Sequence, residues 1–210
     1  VVVEGYTDVM AAHLSGVPTA VATCGTAFGS DHTRVVRRLL GDTSSVGGLQ
    51  LAGGVSAGGE VIFTFDGDAA GQQAALRAFS EDQQFLAQTF VAIEPSGMDP
   101  CDLRLAKGPD AVRALVASRV PLFEFVIKAA LATYDLETAE GRVAALRSAA
   151  PVVAGIRDQA LRPEYARLLA GWLGLDIGTV RDAVRTAKSG VTADAPDREA
   201  APSAEGAVKI

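Results

Sequence analysis

The apolar run at residues 61–65, Val-Ile-Phe-Thr-Phe, constrains the fold of this chain more than any other segment. A short run of β-branched and aromatic residues predicts a buried strand. Asp66-Gly67-Asp68 follows this run directly, and Glu4-Gly5-Tyr6-Thr7-Asp8 follows a second strand-like run, Val1-Val2-Val3. Open α/β sheets build their sites at the carboxyl ends of strands. The sequence therefore predicts an α/β sheet with acidic side chains along one edge.

Strand-like and helix-like segments alternate through the first part of the chain, which indicates a mainly parallel sheet flanked by helices. The glycine-rich segment 41–60 is predicted to be a flexible loop. It lacks Gly-Lys-Ser/Thr and leads into a strand, so it is neither a P-loop nor a dinucleotide-binding turn. The predicted strands are 1–4, 18–23, 61–65 and 90–93, and the predicted helices are 7–15, 31–40, 69–86 and 109–118.

After Pro121 the pattern shows helical periodicity alone, which predicts a helical bundle beside the α/β part. Residues 188–210 are rich in Ala, Pro, Asp and Glu, a composition typical of a disordered linker. The chain begins without Met inside a predicted strand, so we expect it to be truncated at its N-terminus and to precede a further domain. The predicted helices of this part are 121–133, 138–149, 151–158, 163–173 and 177–187, and the predicted domains are 1–118, 119–187 and 188–210.

Composition excludes several classes of function. The net charge of −6 over 210 residues argues against a simple basic domain that coats nucleic acid. The two cysteines, Cys24 and Cys101, form no CxxC pair, so we expect no structural zinc in this chain. They are predicted to be reduced thiols of a cytoplasmic protein, and no apolar run is long enough to span a membrane.

Acidic residues at three strand-to-loop junctions predict a metal site. Clustered carboxylates with little His or Cys nearby suit hard cations such as Mg²⁺. Asp66 and Asp68 are two residues apart and share a face if the strand geometry persists. Each motif alone also fits an ordinary turn or a helix N-cap. Together with Asp66 and Asp68, however, Glu4 follows the first predicted strand and Asp99 follows the strand at 90–93. Acids at three such junctions favour a metal site over separate turns or helix caps.

The acidic motifs together resemble the Toprim domain, and four longer segments resemble bacterial DnaG-type primases. The resemblance continues through 121–127, 140–142 and 162–170 into the helical part, so it covers about residues 1–187. The four segments are Val-Glu-Gly-Tyr-Thr-Asp-Val-Met (3–10), Gly-Thr-Ala-Phe-Gly-Ser-Asp-His (25–32), Phe-Asp-Gly-Asp-Ala-Ala-Gly (65–71) and Gly-Met-Asp-Pro-Cys-Asp-Leu (97–103).

This resemblance implies the roles of individual residues. Glu4, Asp66 and Asp68 match the catalytic acids, and the implied metal ligands also include Asp8, Asp99 and Asp102. Cys101 stands where the family's second acid is usual, and Asp102 follows one residue later. His32 fits a capping or packing role as well as a functional one. Arg34, Arg37 and Arg38 are candidates for nucleic-acid contact, although a solvated helix face explains their spacing equally well.

The resemblance also implies an activity: synthesis of short RNA primers from ribonucleoside triphosphates on a single-stranded DNA template, with Mg²⁺ or Mn²⁺ as cofactor. The expected partners are the template, the nucleotides, the RNA primer and the replicative helicase, which is expected to dock through a missing C-terminal domain. The expected location is the bacterial cytoplasm, in association with the nucleoid. We expect the 210-residue chain alone to be weakly active or inactive.

Two other functional classes fit parts of the pattern. Another Toprim enzyme, topoisomerase-like or a nuclease, would share the acids, but Tyr6, Tyr134 and Tyr165 lie in no context suited to a topoisomerase nucleophile. A non-catalytic Toprim module would have no need for Glu4, Asp66 and Asp68 together.

Overall fold

The computed structural model describes residues 1–41, 59–66, 78, 79, 85 and 87–193. The predicted loop over 41–60 and the predicted helix over 69–86 fall largely outside these residues. Residues 194–210 of the predicted linker fall outside them entirely.

Within the described residues, five strands form one sheet in the order β2-β1-β3-β4-β5. The first four strands of this order are parallel, and β5 runs antiparallel to β4. This confirms the predicted parallel-rich α/β sheet. The unpredicted β5 is a two-residue edge strand that includes a proline, a position where the missing amide hydrogen costs no ladder bond. The strands are β1 (Val2–Val3), β2 (Val21–Ala22), β3 (Glu60–Asp66), β4 (Gln88–Glu94) and β5 (Val120–Pro121).

Helices cover both faces of the sheet because β3 buries both of its faces. Phe63 packs on one side in a core with residues of α2 (Ser30–Leu40) and α5 (Leu122–Leu131). Ile62 packs on the other side with residues of α3 (Pro100–Lys107) and α4 (Pro109–Ala117). The first helix, α1 (Tyr6–Leu14), packs against α3 and α4 on this second side.

The strand order places a topological switch point between β1 and β3. The chain leaves β1 through α1 to reach β2 on one side, and it later returns to β3 on the other side of β1. In open α/β sheets the crevice outside the carboxyl ends of two such strands is the usual binding site. Glu4 follows β1, and Asp66 is the last residue of β3, so both main-chain positions flank this point.

The C-terminal part is helical, as predicted. It contains α6 (Ala139–Ala154), α7 (Leu161–Leu173) and α8 (Ile177–Ala193), which share one apolar core. Helix α5 belongs to both parts, because Leu122 and Val126 lie in the sheet core while Ile127 and Leu131 lie in the helical core. The division of the chain at 118/119 stays a prediction.

Three local differences separate the predicted from the observed helices. Residues 100–107 form α3, a helix that the sequence did not predict, with Asp99 as N-cap and Pro100 at the first helical position. Residues 139–154 form one helix instead of two, because packing of the buried Ala149 and Val153 keeps the chain helical through Pro151. Helix α8 continues to Ala193, so the first residues of the predicted linker are helical.

Within the described part of the chain, no helix combines the length and the apolar character that crossing a bilayer requires.

Candidate metal centre

Three of the predicted acids line one small cavity beside the switch point. Glu4 comes from the loop after β1, Asp8 from the first turn of α1 and Asp99 from the N-cap of α3. Carboxylates from three separate segments are thus brought to one edge of the sheet. The cavity is lined by Glu4, Asp8, Thr64, Phe65, Met98, Asp99, Pro100 and Leu115.

Asp8 is the most buried acid of this cavity, with 4% of its surface exposed. One carboxylate oxygen, Oδ2, accepts a hydrogen bond from the Gly5 amide at 2.9 Å, and Oδ1 accepts a longer one from the Cys101 amide at 3.4 Å. A side chain at position 5 would bring its Cβ within 3.2 Å of Oδ2, so glycine permits this close approach. Asp8 therefore ties the loop after β1 to the start of α3.

Electrostatics at Asp8 favour a bound cation. Burial raises the pKa of this carboxyl first, and the negative charges of Asp99 and Asp102 raise it further, against the amides of Gly5 and Cys101. A carboxylate that is desolvated beside like charges is destabilised in its ionised form. A divalent cation would offset that repulsion, and carboxylate oxygens are the ligands that hard cations prefer. The donor chemistry of these acids therefore fits the implied metal.

Asp99 is held in place by its role as N-cap of α3. Its Oδ1 accepts a hydrogen bond from the Asp102 amide at 2.7 Å, and its main-chain oxygen accepts one from the Leu103 amide at 2.8 Å. Asp102 itself is exposed and does not line the cavity. Burial raises the pKa of the Cys101 thiol, as do the charges of Asp99, Asp8 and Asp102, so position 101 adds no negative charge.

Asp66 and Asp68 are only partly covered by the described residues. The main chain of Asp66 ends β3 and pairs in register with Glu94 of β4. The side chain of Asp66 and all of Asp68 lie outside the described residues. Among the residues that are described, no three His, Cys, Asp or Glu side chains converge closely enough to form a complete metal site. The assignment of all six acids as ligands stays a prediction.

Glu94 is an acid that the sequence did not single out. It ends β4, is only 5% exposed, and forms an ion pair with Lys107 of α3 at 3.1 Å. Its Oε2 accepts hydrogen bonds from the Ser96 amide, the Ser96 hydroxyl and the Met98 amide. Its place at the carboxyl end of a buried strand, like those of Glu4 and Asp66, is the signal that could have identified it.

His32 has a structural role in the loop after β2. Its Nδ1 accepts a hydrogen bond from the Gly29 amide at 3.3 Å, which caps α2, and its ring stacks on Phe28. Because Nδ1 accepts, the proton lies on Nε2, which is 3.3 Å from the Thr26 hydroxyl oxygen. The network explains the Gly-Thr loop without a bound ligand.

The candidate arginines lie on α2. Arg34 and Arg38 are exposed, and Arg34 forms a surface ion pair with Asp31 at 3.0 Å. Arg37 is half-buried. A role for these three side chains in nucleic-acid binding stays a prediction.

Comparison with known proteins matches both parts of the chain to described families. The Toprim domain family matches residues 1–92, and the family described as the DnaB-helicase binding domain of primase matches residues 123–178. The DNA primase of Streptomyces coelicolor is 61% identical over 175 residues, which are 83% of this chain and 25% of that primase. The chain thus spans about a quarter of the length of this relative.

Solved structures give the same result. The RNA polymerase domain of Mycobacterium tuberculosis primase DnaG, in complex with a double-stranded DNA oligomer with a 6-nucleotide overhang, is 57% identical with a TM-score of 0.65. That match covers 83% of this chain and 51% of the other. A DnaG primase catalytic domain bound to single-stranded DNA is 30% identical with a TM-score of 0.66, over 85% of this chain and 52% of the other.

The parallel-rich sheet, its acidic switch point and the match over residues 1–92 define a Toprim-domain protein. The helical part and the primase relatives narrow this class. The chain belongs to the family of bacterial DnaG-type primases.

The hydrogen bonds of Glu94 predict an acid-sensitive contribution to stability. These bonds lower the pKa of Glu94 from the ordinary 4.5 to about 2. The Ser96 hydroxyl lowers the pKa most, and the Met98 amide and Lys107 lower it further. Burial acts in the opposite direction and raises the pKa. A carboxyl whose folded pKa lies below its unfolded pKa stabilises the fold above the unfolded value, and this stability is lost as the pH falls through the folded value. Denaturant titrations should therefore show a free-energy difference between wild type and Glu94→Gln that is full above pH 4.5 and shrinks towards pH 2.

The matched control is Glu164→Gln, which removes an exposed carboxylate that pairs with Arg167 on the same helix. Exposed pairs of this kind contribute little, so this variant should follow wild type throughout. If the difference in unfolding free energy between wild type and Glu94→Gln stays constant from neutral pH to pH 2, the lowered pKa of Glu94 is contradicted.

Proposed function

We propose that this chain forms the metal-binding catalytic part of a primase that synthesises short RNA primers on single-stranded DNA during replication. The observation that carries the proposal is the cavity at the switch point, which Glu4, Asp8 and Asp99 line beside the end of β3. Strand β3 ends at Asp66, and the chain leads from there into Asp68. Relatives that are named DNA primases and solved structures that contain DNA support the same activity.

The acids of the cavity would hold divalent cations, Mg²⁺ or Mn²⁺. Such ions, when bound, lower the pKa of an attacking hydroxyl and neutralise a triphosphate and its leaving pyrophosphate. Hydrogen bonds within the chain hold two of these carboxylates at the cavity. Asp8 fixes the Gly5 and Cys101 amides, and the capping bonds of Asp99 hold its carboxylate at the cavity. Glu4 is exposed at the same edge, where nucleotide phosphates have access to it.

The helical part is proposed to contact the replicative helicase. The family described as the DnaB-helicase binding domain of primase matches residues 123–178, within the chain itself. This changes the expected location of the contact, which the sequence had assigned to a domain beyond residue 210. Leu161 and Leu168 of α7 are 43% and 45% exposed and lie seven residues apart, on one face of the helix.

The alternative functions gain no support. The relatives and solved structures cited above are primases rather than topoisomerases or nucleases. A non-catalytic module would not require three carboxylates around one cavity.

Metal binding by the chain tests the site. Mn²⁺ titration monitored by electron paramagnetic resonance should show binding that Glu4→Gln, Asp66→Asn or Asp68→Asn each weakens by roughly 10-fold or more, since even outer-shell changes cost about that much. Asp182→Asn makes the same change of charge at an exposed position on α8 and should leave binding unchanged. Unchanged binding in all three site variants would refute the metal assignment.

Primer synthesis tests the activity. In a full-length primase that contains this chain, Glu4→Gln should lower kcat for primer synthesis by at least on the order of 10²-fold, as expected when electrostatic support of a transition state is lost. Gel-resolved extension of labelled ribonucleotides on single-stranded DNA measures this, with Glu164→Gln as control. The 210-residue chain alone should make little primer, because it spans only about half of the matched polymerase-domain structure. Cleavage or relaxation of DNA without synthesis would favour another Toprim enzyme.

Helicase binding tests the role of the helical part. Fluorescence anisotropy of the labelled chain, titrated with purified replicative helicase of the same organism, should show binding that Leu168→Glu weakens. Loss of one exposed apolar contact at an interface costs on the order of 1 kcal/mol or more, which corresponds to roughly 5-fold in Kd. Leu105→Glu is the control, because Leu105 is equally apolar and 76% exposed but lies outside the matched segment. Equal weakening by both variants would remove the specific role of α7.

A further inference from the structure

The carboxylate of Glu94 organises the loop that carries Asp99 to the cavity. Its Oε2 lies 2.6 Å from the Ser96 amide nitrogen, 2.5 Å from the Ser96 hydroxyl oxygen and 3.2 Å from the Met98 amide nitrogen. Its main-chain oxygen accepts a further bond from the Gly97 amide at 3.1 Å, and Gly97 has a φ of +75°, which favours glycine. One side chain thus receives three of the donors in a turn of four residues.

The other carboxylate oxygen, Oε1, reaches helix α3. It lies 3.1 Å from Nζ of Lys107, which occupies the last turn of that helix. Asp99 caps the first turn of the same helix, and Cys101 there donates to Asp8. Glu94 is therefore bonded to both ends of the segment that presents Asp99: the loop before it and the helix after it.

We propose that Glu94 is a positioning residue for the metal site, and that it acts through the loop at residues 95–98 and through α3. The inference rests on the proposed metal-binding function of the cavity. Glu94 is separate from the ligands, because its buried carboxylate is already bonded by donors from Ser96, Met98 and Lys107. Outer partners of this kind orient the groups that touch a metal, and their loss weakens metal binding without removal of a ligand.

Two kinds of variant test the proposal in the 210-residue chain. Glu94→Gln keeps the size of the side chain but loses the charge and one of its acceptor oxygens. Ser96→Ala removes only the hydroxyl that donates to Glu94, and Ser96→Thr keeps a hydroxyl at the same position. Fluorescence of Trp172, the single tryptophan, which packs against the helical core, confirms in each variant that the helical part is folded.

The first readout is independent of metal. Amide hydrogen exchange of the metal-free chain should be faster at Ser96, Met98 and Cys101 in Glu94→Gln, and unchanged in the core of α6. The second readout is Mn²⁺ affinity. It should fall by about 10-fold in Glu94→Gln, fall by less in Ser96→Ala, and return to the wild-type value in Ser96→Thr. The control is Glu60→Gln, which removes a carboxylate paired with Arg119 at the opposite end of β3.

The outcomes separate this inference from the proposed function. If Glu4→Gln weakens Mn²⁺ binding but folded Glu94→Gln and Ser96→Ala bind as wild type does, the positioning role is overturned and the metal site stands. If wild type binds no Mn²⁺, both are overturned. If Glu94→Gln fails to fold, the contrast between Ser96→Ala and Ser96→Thr decides. Equal weakening by Glu60→Gln would show a general loss of stability and would also overturn the inference.

Discussion

Burial of β3 on both of its faces is the constraint on which the rest of the structure depends. Phe63 and Ile62 point to opposite cores, and both are nearly inaccessible to solvent. A strand buried in this way needs helices on both sides of its sheet and therefore parallel neighbours joined by crossovers. Parallel strands end at the same edge, so Glu4, which follows β1, and Asp99, which follows β4, line one cavity there. The apolar core thus determines where the polar site lies.

Hydrogen bonds from buried carboxylates then join the segments at that edge. Asp8 binds the loop after β1 to the start of α3, and Glu94 binds the end of β4 to both its own loop and the end of α3. Helix α3 is therefore held at both ends by acids that belong to other elements. Loops carry functional residues best when a rigid scaffold positions them, and here two carboxylates supply that rigidity.

The sequence predicted those features that depend on local pattern. The strand at 61–65, the acids at the strand ends and the helical part after Pro121 were all visible as runs, spacings or periodicity. The missed features depend on the tertiary fold. The role of Glu94 requires Lys107, thirteen residues away, to return beside it. The two-residue β5 has too little pattern of its own, and Pro151 lies inside a helix because Ala149 and Val153 around it are fully buried. Packing overrides propensity at such positions.

The two buried carboxylates differ in their electrostatic balance, and this difference separates their roles. Glu94 has a lysine and hydroxyl and amide donors around it, which lower its pKa and satisfy its charge within the fold. Asp8 has two amide donors but faces Asp99 and Asp102, and burial together with these charges raises its pKa. The Cys101 thiol, which lies between Asp99 and Asp102 in the sequence, has a raised pKa and is neutral. It therefore adds less repulsion to Asp8 than a further acid at this position would. A divalent cation would stabilise the second arrangement and gain little from the first, which supports the proposed metal site at Asp8 and the proposed positioning role of Glu94.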